Sequence, residues 1–267
     1  SKATPAELAL PLIYGKKSIV IGDHRQLPPL LDKQEFITTL EYISKKAIDD
    51  NDRVKIRNLI KYIDENFKDI EVSHFERLFR NIDASLKGTF NLQYRMHPDI
   101  NEVIKQFYIK DGGLICGLTT PIDLGVNDPD MNNKVSRYHG INIENLVNPD
   151  NHVIWIDVQS PEILDGTSRV NHGEVEAVRW ILSELNKSEA YSEYQSFWKN
   201  IEDRQIGLIS FYSKQIKLLR NLKKEFRKIS LRISSVDRFQ GMERNIIIVA
   251  LVRSNRIAFN KSQNPDF

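Results

Sequence analysis

From residue 88 onward the chain alternates short apolar runs with amphipathic helical patterns. The apolar runs lie at 90–92, 153–158, 206–210, 231–236 and 246–252, and the last of them is the richest in β-branched residues. Apolar residues recur every three or four positions at 99–108, 174–187 and 213–228. Parallel strands need crossover connections, which are usually helices, so this alternation predicts an α/β fold with a parallel sheet flanked by helices.

The first 87 residues follow a different pattern. Residues 1–31 predict a helix, a short buried strand at 18–21 and then a loop, because Pro28 and Pro29 exclude both a helix and a central strand. Residues 32–87 are charged and have the apolar spacing of helices, so we interpret them as a helical insertion.

A third region, residues 119–151, has no clear period and is rich in Asn, Asp, Pro and Gly. It predicts a long loop or insertion. Loops of this length are usually functional or mobile.

Composition restricts the class of protein. The 267 residues carry a formal net charge of +2, so overall charge does not indicate a nucleic-acid partner and any basic surface must be local. The single cysteine, Cys116, excludes an intramolecular disulfide and fits a reducing compartment, so we expect a cytoplasmic location, or a nuclear one in a eukaryote. No apolar run approaches the ~20 residues that a membrane span needs, so we expect no membrane partner.

Three polar blocks lie beside the apolar runs. They are Gly22-Asp23-His24-Arg25-Gln26-Leu27-Pro28-Pro29, Gln93-Tyr94-Arg95-Met96-His97-Pro98 and Ser234-Ser235-Val236-Asp237-Arg238-Phe239-Gln240-Gly241-Met242-Glu243. The second block lies at a strand-to-helix junction, where nucleotides bind in open α/β sheets. Tyr94 is suited to stack on a base, and Arg95 to bind phosphate oxygens as a planar fork. A structural alternative stays open, with Tyr94 in the core and Arg95 in a surface ion pair.

In this order the three blocks resemble motifs III, IV and V of the superfamily 1 helicases. The resemblance is closest to the branch that contains the nonsense-mediated-decay RNA helicase and its DNA-helicase relatives. It is specific within the blocks and loose between them. The family implies a RecA-like P-loop NTPase fold, ATP and Mg²⁺ as cofactors, and single-stranded DNA or RNA as a partner.

The resemblance also implies how the chain is divided. Residues 1–31 would be the C-terminal remnant of a first RecA-like domain, residues 32–87 a helical insertion or linker, and residues 88–267 a second RecA-like domain. No G-x-x-x-x-G-K-[ST] phosphate-binding loop occurs in the chain. We therefore expect that loop, the magnesium carboxylates of motif II and the arginine of motif VI to lie outside it. The missing N-terminal RecA-like domain would then be a partner, and the chain alone would not hydrolyse ATP.

The resemblance assigns roles around ATP to the first two blocks. Gln26 would contact the γ-phosphate or its attacking water, and Asp23 would support that loop. Arg95 would act as an arginine finger, Tyr94 would stack on or beside the adenine, and Gln93 would brace its loop. The plainer alternative makes Asp23 a turn cap and Gln26 a surface amide.

The third block would complete the nucleotide contacts. By resemblance, Gln240 is the amide near the γ-phosphate and Glu243 the carboxylate that accepts from a ribose hydroxyl. Gly241 permits close backbone approach to a ligand.

Nucleic-acid contacts are expected at the ends of two predicted strands. By resemblance, Ser210 and either Ser234 or Ser235 would donate to backbone phosphates, with Asp237 on the same side. Tyr212, Lys214 and Gln215 are further candidates. The helix predicted at 213–228 follows directly. Its basic side chains are Lys214, Lys217, Arg220, Lys223, Lys224, Arg227 and Lys228. Such a run fits either a solvated face or a binding surface.

These expectations together indicate the C-terminal motor domain of an ATP-dependent superfamily 1 helicase. The intact protein would translocate on single-stranded DNA or RNA and unwind duplexes. The alternative is a non-catalytic module of the same fold that docks nucleic acid or protein in a repair or defence complex.

Overall fold

The computed structural model describes residues 5–27, 32–118, 139–196, 198, 200–202 and 204–254. The chain forms two compact units. Unit 1 comprises Ser1–Asn91 and Phe107–Gly113, and unit 2 comprises Leu92–Gln106 and Leu114–Phe267.

Unit 1 is helical. Its helices are α1 (Pro5–Tyr14), α2 (Lys33–Lys46), α3 (Asp50–Glu71) and α4 (His74–Asn81), followed by a 3-10 turn at Ala84–Leu86. A second 3-10 turn, Gln106–Asp111, lies mostly in this unit. The side chains of Asp32, Asp49 and Ser73 accept hydrogen bonds from backbone N–H groups in the first turns of α2, α3 and α4. These caps explain where the helices of the charged region begin.

The strand predicted at 18–21 does not form, and that prediction was wrong. Ile19 and Ile21 are 91% and 82% exposed, and the described part of unit 1 contains no strand with which they could pair. A parallel strand depends on such neighbours. The following Gly22 lies against α4, where an added Cβ would be 3.0 Å from the ring of Phe75. This contact positions the start of the first polar block.

Unit 2 alternates strands and helices, as the sequence predicts. Its elements are β1 (Leu92–Gln93), α5 (Pro98–Lys105), β2 (Ile115–Cys116), β3 (Ile163–Asp165), β4 (Ser168–Val170), α6 (His172–Lys187), α7 (Glu189–Ser196), β5 (Ile206–Ser210), α8 (Ser213–Glu225), β6 (Leu231–Ser235), α9 (Val236–Phe239) and β7 (Ile246–Ala250). The helix predicted at 99–108 ends early, because α5 continues as the 3-10 turn Gln106–Asp111.

The main sheet of unit 2 is parallel, with the strand order β6-β5-β7. In its register Ile206 lies opposite Leu231 on one side and Ile246 on the other. β1 and β2 form a separate parallel pair, and β3 and β4 an antiparallel hairpin. Because all three strands of the main sheet run in the same direction, their carboxyl ends share one edge.

Helices cover the sheet through one apolar core. α8 packs on β5 and β6, and α6 packs on α8 and β7. Leu182, Ile206, Leu219 and Leu222 are completely buried in this core. They come from the apolar stripes of α6 and α8 and from β5, so the predicted periodicities identify the buried faces correctly.

The run at 153–158 forms no strand, although it was predicted as one. It has no strand partner among the described residues, and Trp155 is 80% exposed. Of the predicted 119–151 loop, residues 119–138 lie outside the described part. In the remainder, Ile143 pairs with Val147, and Ile143 belongs to the apolar core.

A buried polar cluster connects three parts of unit 2. Asn171 caps α6 by accepting from the N–H of Glu174 at 3.1 Å, and its Nδ2 donates to the carbonyls of Ser160 and Val252. Gln215 of α8 exchanges two 3.0 Å bonds with the backbone of Asn171. Both amide residues are almost fully buried. They therefore join the start of α6, the first turn of α8 and the segment after β7.

Val252 needs this cluster because its backbone is strained. Its φ is +71°, which a buried β-branched residue rarely adopts. Both carboxylate oxygens of Glu174 accept from the N–H of Val252, at 2.8 and 2.9 Å. Burial raises the pKa of Glu174, and the bond from Val252 opposes that shift. The carboxylate thus supplies the partner that a sheet neighbour would otherwise provide.

No helix in the described ranges is both long and apolar enough to cross a membrane.

Asn171→Ala should lower the free energy of unfolding by about 2–4 kcal/mol. The change removes a helix cap, worth about 1 kcal/mol, and leaves the buried carbonyl of Val252 without Nδ2, at about 1–3 kcal/mol, whereas the carbonyl of Ser160 keeps the hydroxyl of Ser254 as a donor. Equilibrium urea unfolding measures the loss. Asn221→Ala, at an exposed position on α8, is the matched control and should stay within about 0.5 kcal/mol of wild type. Equal effects of the two changes would contradict the role given to Asn171.

Candidate nucleotide site and nucleic-acid interface

The second polar block is a loop closed by one amide. Oε1 of Gln93 accepts from the backbone N–H groups of Arg95 and Met96, at 2.8 and 2.7 Å. Its Nε2 donates to the carbonyl of Met96 at 3.2 Å and to Oδ1 of Asn101 at 3.3 Å. Asn101 is 3% exposed and lies in α5. The loop between β1 and α5 therefore has a fixed shape, and Arg95 projects from it.

Tyr94 lies on the backbone of the neighbouring strand end. A Cβ added at Gly117, directly after β2, would be 2.4 Å from Cε1 of the tyrosine ring. The N–H of Gly117 donates to the carbonyl of Gln93 at 2.7 Å. Tyr94 remains 61% exposed, so one part of the ring packs and the rest faces solvent. Gly117 was not predicted, because its only signal in the sequence is a glycine after a short apolar run.

The second and third blocks meet through an ion pair. Nη2 of Arg95 lies 2.5 Å from Oε1 of Glu243. Both side chains are mostly exposed, at 55% and 68%. Exposed pairs of this kind are worth about 0–1 kcal/mol, so the pair holds the guanidinium in place weakly. A phosphate group can therefore replace the carboxylate at little cost.

The turn of the third block packs on the sheet through Phe239. A Cβ at Gly207 of β5 would lie 2.6 Å from the end of the Phe239 ring, so this contact requires glycine. Gln240 follows, partly buried, and its N–H donates to the carbonyl of Val236 at 3.1 Å. Gly241 is exposed with φ at +83° and has open space around its Cα. A left-handed conformation, not crowding, is what favours glycine there.

In unit 1 the first block is organised by Asp23. Its Oδ1 accepts from the N–H of Arg25 at 2.9 Å, which closes a turn. Its Oδ2 accepts from Nε2 of Gln26 at 3.0 Å and from the hydroxyl of Tyr108 at 2.8 Å. Asp111 binds the guanidinium of Arg25 in a close ion pair. The contributions of Tyr108 and Asp111 have no counterpart in the sequence analysis.

Three of the residues predicted to contact nucleic acid are buried, among them Gln215, which is 0% exposed and bonded to the backbone of Asn171. Ser210 is 0% and Ser234 is 4% exposed. The hydroxyl of Ser210 donates to the carbonyl of Ala250 in β7, at 2.9 Å. In this structure the Ser210 hydroxyl joins two strand ends and does not face solvent. Asp237 lies in the first turn of α9 and is partly buried.

The exposed side chains at this edge come one to four residues after β5. Phe211 is 57% exposed, and Lys214 is exposed with Nζ 3.3 Å from Asp165. Tyr212 is partly buried, and its hydroxyl raises the pKa of Arg253 by hydrogen bonding. Phe211 was missed by sequence reasoning, although an aromatic residue directly after a buried strand is a recognisable signal. The remaining basic residues of α8 are exposed as well.

Arg253 pairs with a carboxylate after β7. Its Nε lies 3.1 Å from Oε2 of Glu162, whose side chain is 13% exposed. Glu162 also accepts from Arg169 at 2.6 Å and from the N–H of Ser254 at 2.9 Å. The segment that follows Val252 is thereby bound to the segment before β3.

His97, Asp99 and His152 are, in the described ranges, the one group with ligand atoms close enough to hold a metal ion. The two imidazole rings are stacked 3.4 Å apart at an angle of 8°. The nitrogen lone pairs of two parallel rings lie in two parallel planes, so they do not converge on a common ion. Nδ1 of His97 accepts from the N–H of Asp99 at 3.2 Å. As arranged, the group caps α5 at the end of the Arg95 loop.

The family of this chain is evident from its similarity to known proteins. Residues 70–265 match a protein family described as "AAA domain", and the match covers more than half of the chain. The chain belongs to this family.

Several curated helicases resemble this AAA-family chain along most of its length. The DNA replication ATP-dependent helicase/nuclease dna2 of Schizosaccharomyces pombe is 30% identical over 92% of the chain. The DNA polymerase alpha-associated DNA helicase A of Saccharomyces cerevisiae is 27% identical over 96% of it. The Regulator of nonsense transcripts 1 homolog of Neurospora crassa is 26% identical over 96% of it. The chain spans only 15%, 32% and 19% of these three relatives.

The match and the relatives confirm the resemblance read from the three motifs. The chain is a superfamily 1 helicase motor domain of the branch that includes the nonsense-mediated-decay and Dna2-type helicases. Its RecA-like α/β fold is confirmed with it.

Gly117→Ala should destabilise this AAA-family domain by about 1–3 kcal/mol, because the new methyl group overlaps the Tyr94 ring. In a Tyr94→Ala background the ring is gone, and the same change should cost less than about 0.5 kcal/mol. Urea unfolding of the four proteins in the cycle gives both values. Gly88→Ala is the control, since no atom lies within 4 Å of its Cβ position. An equal cost of Gly117→Ala in both backgrounds would show that the ring does not lie on this glycine.

Proposed function

We propose that this domain belongs to an ATP-dependent helicase that translocates along single-stranded nucleic acid and unwinds duplexes. The observation that carries the proposal is the pairing of Arg95 with Glu243 at 2.5 Å. It unites a cation from one loop with a carboxylate from another, beside the exposed ring of Tyr94. A nucleoside triphosphate offers a matching set of groups: an anionic chain, a diol and a planar base.

On this proposal, ATP replaces Glu243 as the partner of Arg95. The exposed ion pair opposes that exchange by no more than about 1 kcal/mol. The guanidinium then stabilises the charge that builds up on the transferred phosphoryl group, an effect worth about 10³–10⁵ in rate for arginine fingers. Glu243, once released, accepts from a ribose hydroxyl. Tyr94 stacks on or beside the adenine.

The other nucleotide roles are proposed from the family resemblance, for each unit by itself. Gln26, held by Asp23, orients the attacking water at the γ-phosphate. Gln240 lies near the γ-phosphate, and the exposed backbone at Gly241 allows close approach of the ligand. Gln93 acts indirectly by fixing the loop that carries Arg95.

Magnesium requires carboxylates that these blocks do not provide in a suitable arrangement. Asp23 is bonded to Gln26 and Tyr108, and Glu243 to Arg95. As the family resemblance implies, we propose that the Mg²⁺ ligands and the phosphate-binding loop belong to an N-terminal RecA-like domain of the same protein. That domain is a necessary partner on this proposal, and the 267-residue chain by itself hydrolyses no ATP. When bound, Mg²⁺ would neutralise charge on the phosphate chain.

Single-stranded DNA or RNA is proposed to bind at the carboxyl edge of β5. Phe211 supplies an exposed ring for base stacking, worth about 1–3 kcal/mol per base in other single-strand binders. Lys214 and the exposed basic side chains of α8 supply phosphate contacts that are independent of base sequence. Because Ser210 and Ser234 are buried, we propose that they support the strand ends beneath the binding surface and do not contact the nucleic acid themselves.

Arg95→Ala and Tyr94→Ala should separate turnover from binding in the longer protein. Loss of the guanidinium should lower kcat by at least about 10³ and change the KM for ATP little, because the cation acts on transition-state charge. Loss of the ring should raise KM by about tenfold and leave kcat nearly unchanged, since stacking is present before and during reaction. Steady-state hydrolysis of MgATP in the presence of single strands measures both constants.

Arg232→Ala, an exposed arginine on β6, is the charge control and should leave both constants unchanged. If both site variants changed only KM, the finger role of Arg95 would be wrong. If the wild-type longer protein showed no turnover at all, the non-catalytic docking module would be the better account.

A further inference from the structure

Within unit 1, the 3-10 turn Gln106–Asp111 binds the first polar block with two side chains. The hydroxyl of Tyr108 donates to Oδ2 of Asp23 at 2.8 Å. Asp111 pairs closely with Arg25 and lies 3.3 Å from Nε2 of His24. The turn thus binds the first polar block at Asp23 and also at His24 and Arg25.

The imidazole of His24 adds a packing contact to this arrangement. Its ring stacks on Phe79 of α4, with centroids 4.8 Å apart, and its side chain is 7% exposed. Asp111 is similarly buried, at 15%. Packing and charge therefore restrain residues 23–26, and the hydrogen bond from Tyr108 couples Asp23 to the turn.

The hydroxyl of Tyr108 and the amide of Gln26 donate to the same carboxylate oxygen. Nε2 of Gln26 lies 3.0 Å from Oδ2 of Asp23, and Tyr108 approaches that oxygen at 2.8 Å. Burial and the bond to Asp23 raise the pKa of Tyr108 to about 12, so the hydroxyl is a proton donor throughout the neutral range. The tyrosine therefore restrains the oxygen to which the glutamine is bonded.

We propose that Tyr108 is a positioning residue for Gln26, acting through Asp23. A glutamine that orients water must present its carbonyl end to that water, because the oxygen accepts a hydrogen bond from it. The hydrogen bond from Nε2 of Gln26 to Asp23 holds the NH₂ end of the amide against the carboxylate. The carbonyl end of Gln26 then faces away from Asp23. The tyrosine hydroxyl keeps Asp23 at the distance that this bond requires. The inference rests on the proposed role of Gln26 in ATP hydrolysis.

Loss of the Tyr108 hydroxyl should affect catalysis more than folding. Tyr108→Phe removes one oxygen and keeps the ring, so the packing of the turn is retained. Asp23 then has one fewer restraint, and the amide of Gln26 samples orientations that do not hold the attacking water. Turnover should fall while ATP binding, which depends on other groups, is preserved.

The test is a double-mutant cycle in the longer protein, with Tyr108→Phe, Gln26→Ala and both together. MgATP hydrolysis is measured with a single-stranded deoxythymidine oligonucleotide and, separately, with an oligouridine. Tyr108→Phe should lower kcat by about tenfold with little change in KM, the size expected for losing a hydrogen bond to a charged group. In the Gln26→Ala background the same change should alter kcat less than about twofold, because the amide that it positions is absent.

Tyr62→Phe provides the matched control, since Tyr62 lies on α3 with 58% exposure and should change neither constant. Thermal melting of each variant reports separately on folding. The inference would be overturned if Tyr108→Phe had wild-type kinetics. It would also be overturned if the two changes lowered kcat independently, so that their effects multiplied in the double variant. Either outcome would leave the proposed helicase function intact. Absence of turnover in the wild-type longer protein would overturn both.

Discussion

Two buried amides, Asn171 and Gln215, hold together the part of unit 2 on which the rest depends. They exchange hydrogen bonds at 3.0 Å and connect the starts of α6 and α8 to the segment after β7. Buried polar groups are stable only when each donor and acceptor finds a partner, so this cluster permits one arrangement of its elements. It also supports Val252, whose strained backbone begins the turn away from the sheet. The buried cluster therefore positions the carboxyl edge of the sheet, where Phe211 and Lys214 lie.

Side-chain amides have a similar role in both candidate nucleotide loops. Gln93 satisfies three backbone groups of the Arg95 loop, and Asp23 with Gln26 closes the loop of the first block. Each loop is also attached to a helix, the first to α4 through the stacking of His24 on Phe79 and the second to α5 through Asn101. The arginine itself is restrained only by an exposed carboxylate, Glu243. A rigid loop with a weakly held cation suits a group that must exchange its partner for phosphate.

The sequence patterns correctly predicted the elements whose positions depend on burying an apolar face against nearby segments. β5 has the predicted bounds, and the apolar stripes of α6 and α8 form the core, because these segments pack on close neighbours in the same unit. The strand at 18–21 was wrong because pairing depends on strands that a local pattern does not reveal. The Ser210 hydroxyl was expected at the surface, yet the same residue at a strand end can equally bond the next strand. Tyr108 was missed because its contact with Asp23 spans 85 positions in the chain.

The measurement that tests the central claim most directly is ATP turnover by the longer protein as a function of single-strand concentration. We expect hydrolysis to rise with added oligonucleotide and to saturate, while the 267-residue chain alone stays at background. Replacing Lys214 and Lys217 with glutamine should raise the half-saturating strand concentration to a similar degree for all base sequences. The variant should also depend less on salt concentration, because each lost phosphate contact removes about 0.7 from the slope of log affinity against log salt. Turnover that is indifferent to single strands, or a double variant with unchanged affinity and slope, would contradict the account of this domain as a nucleic-acid motor that binds its strand at the edge of β5.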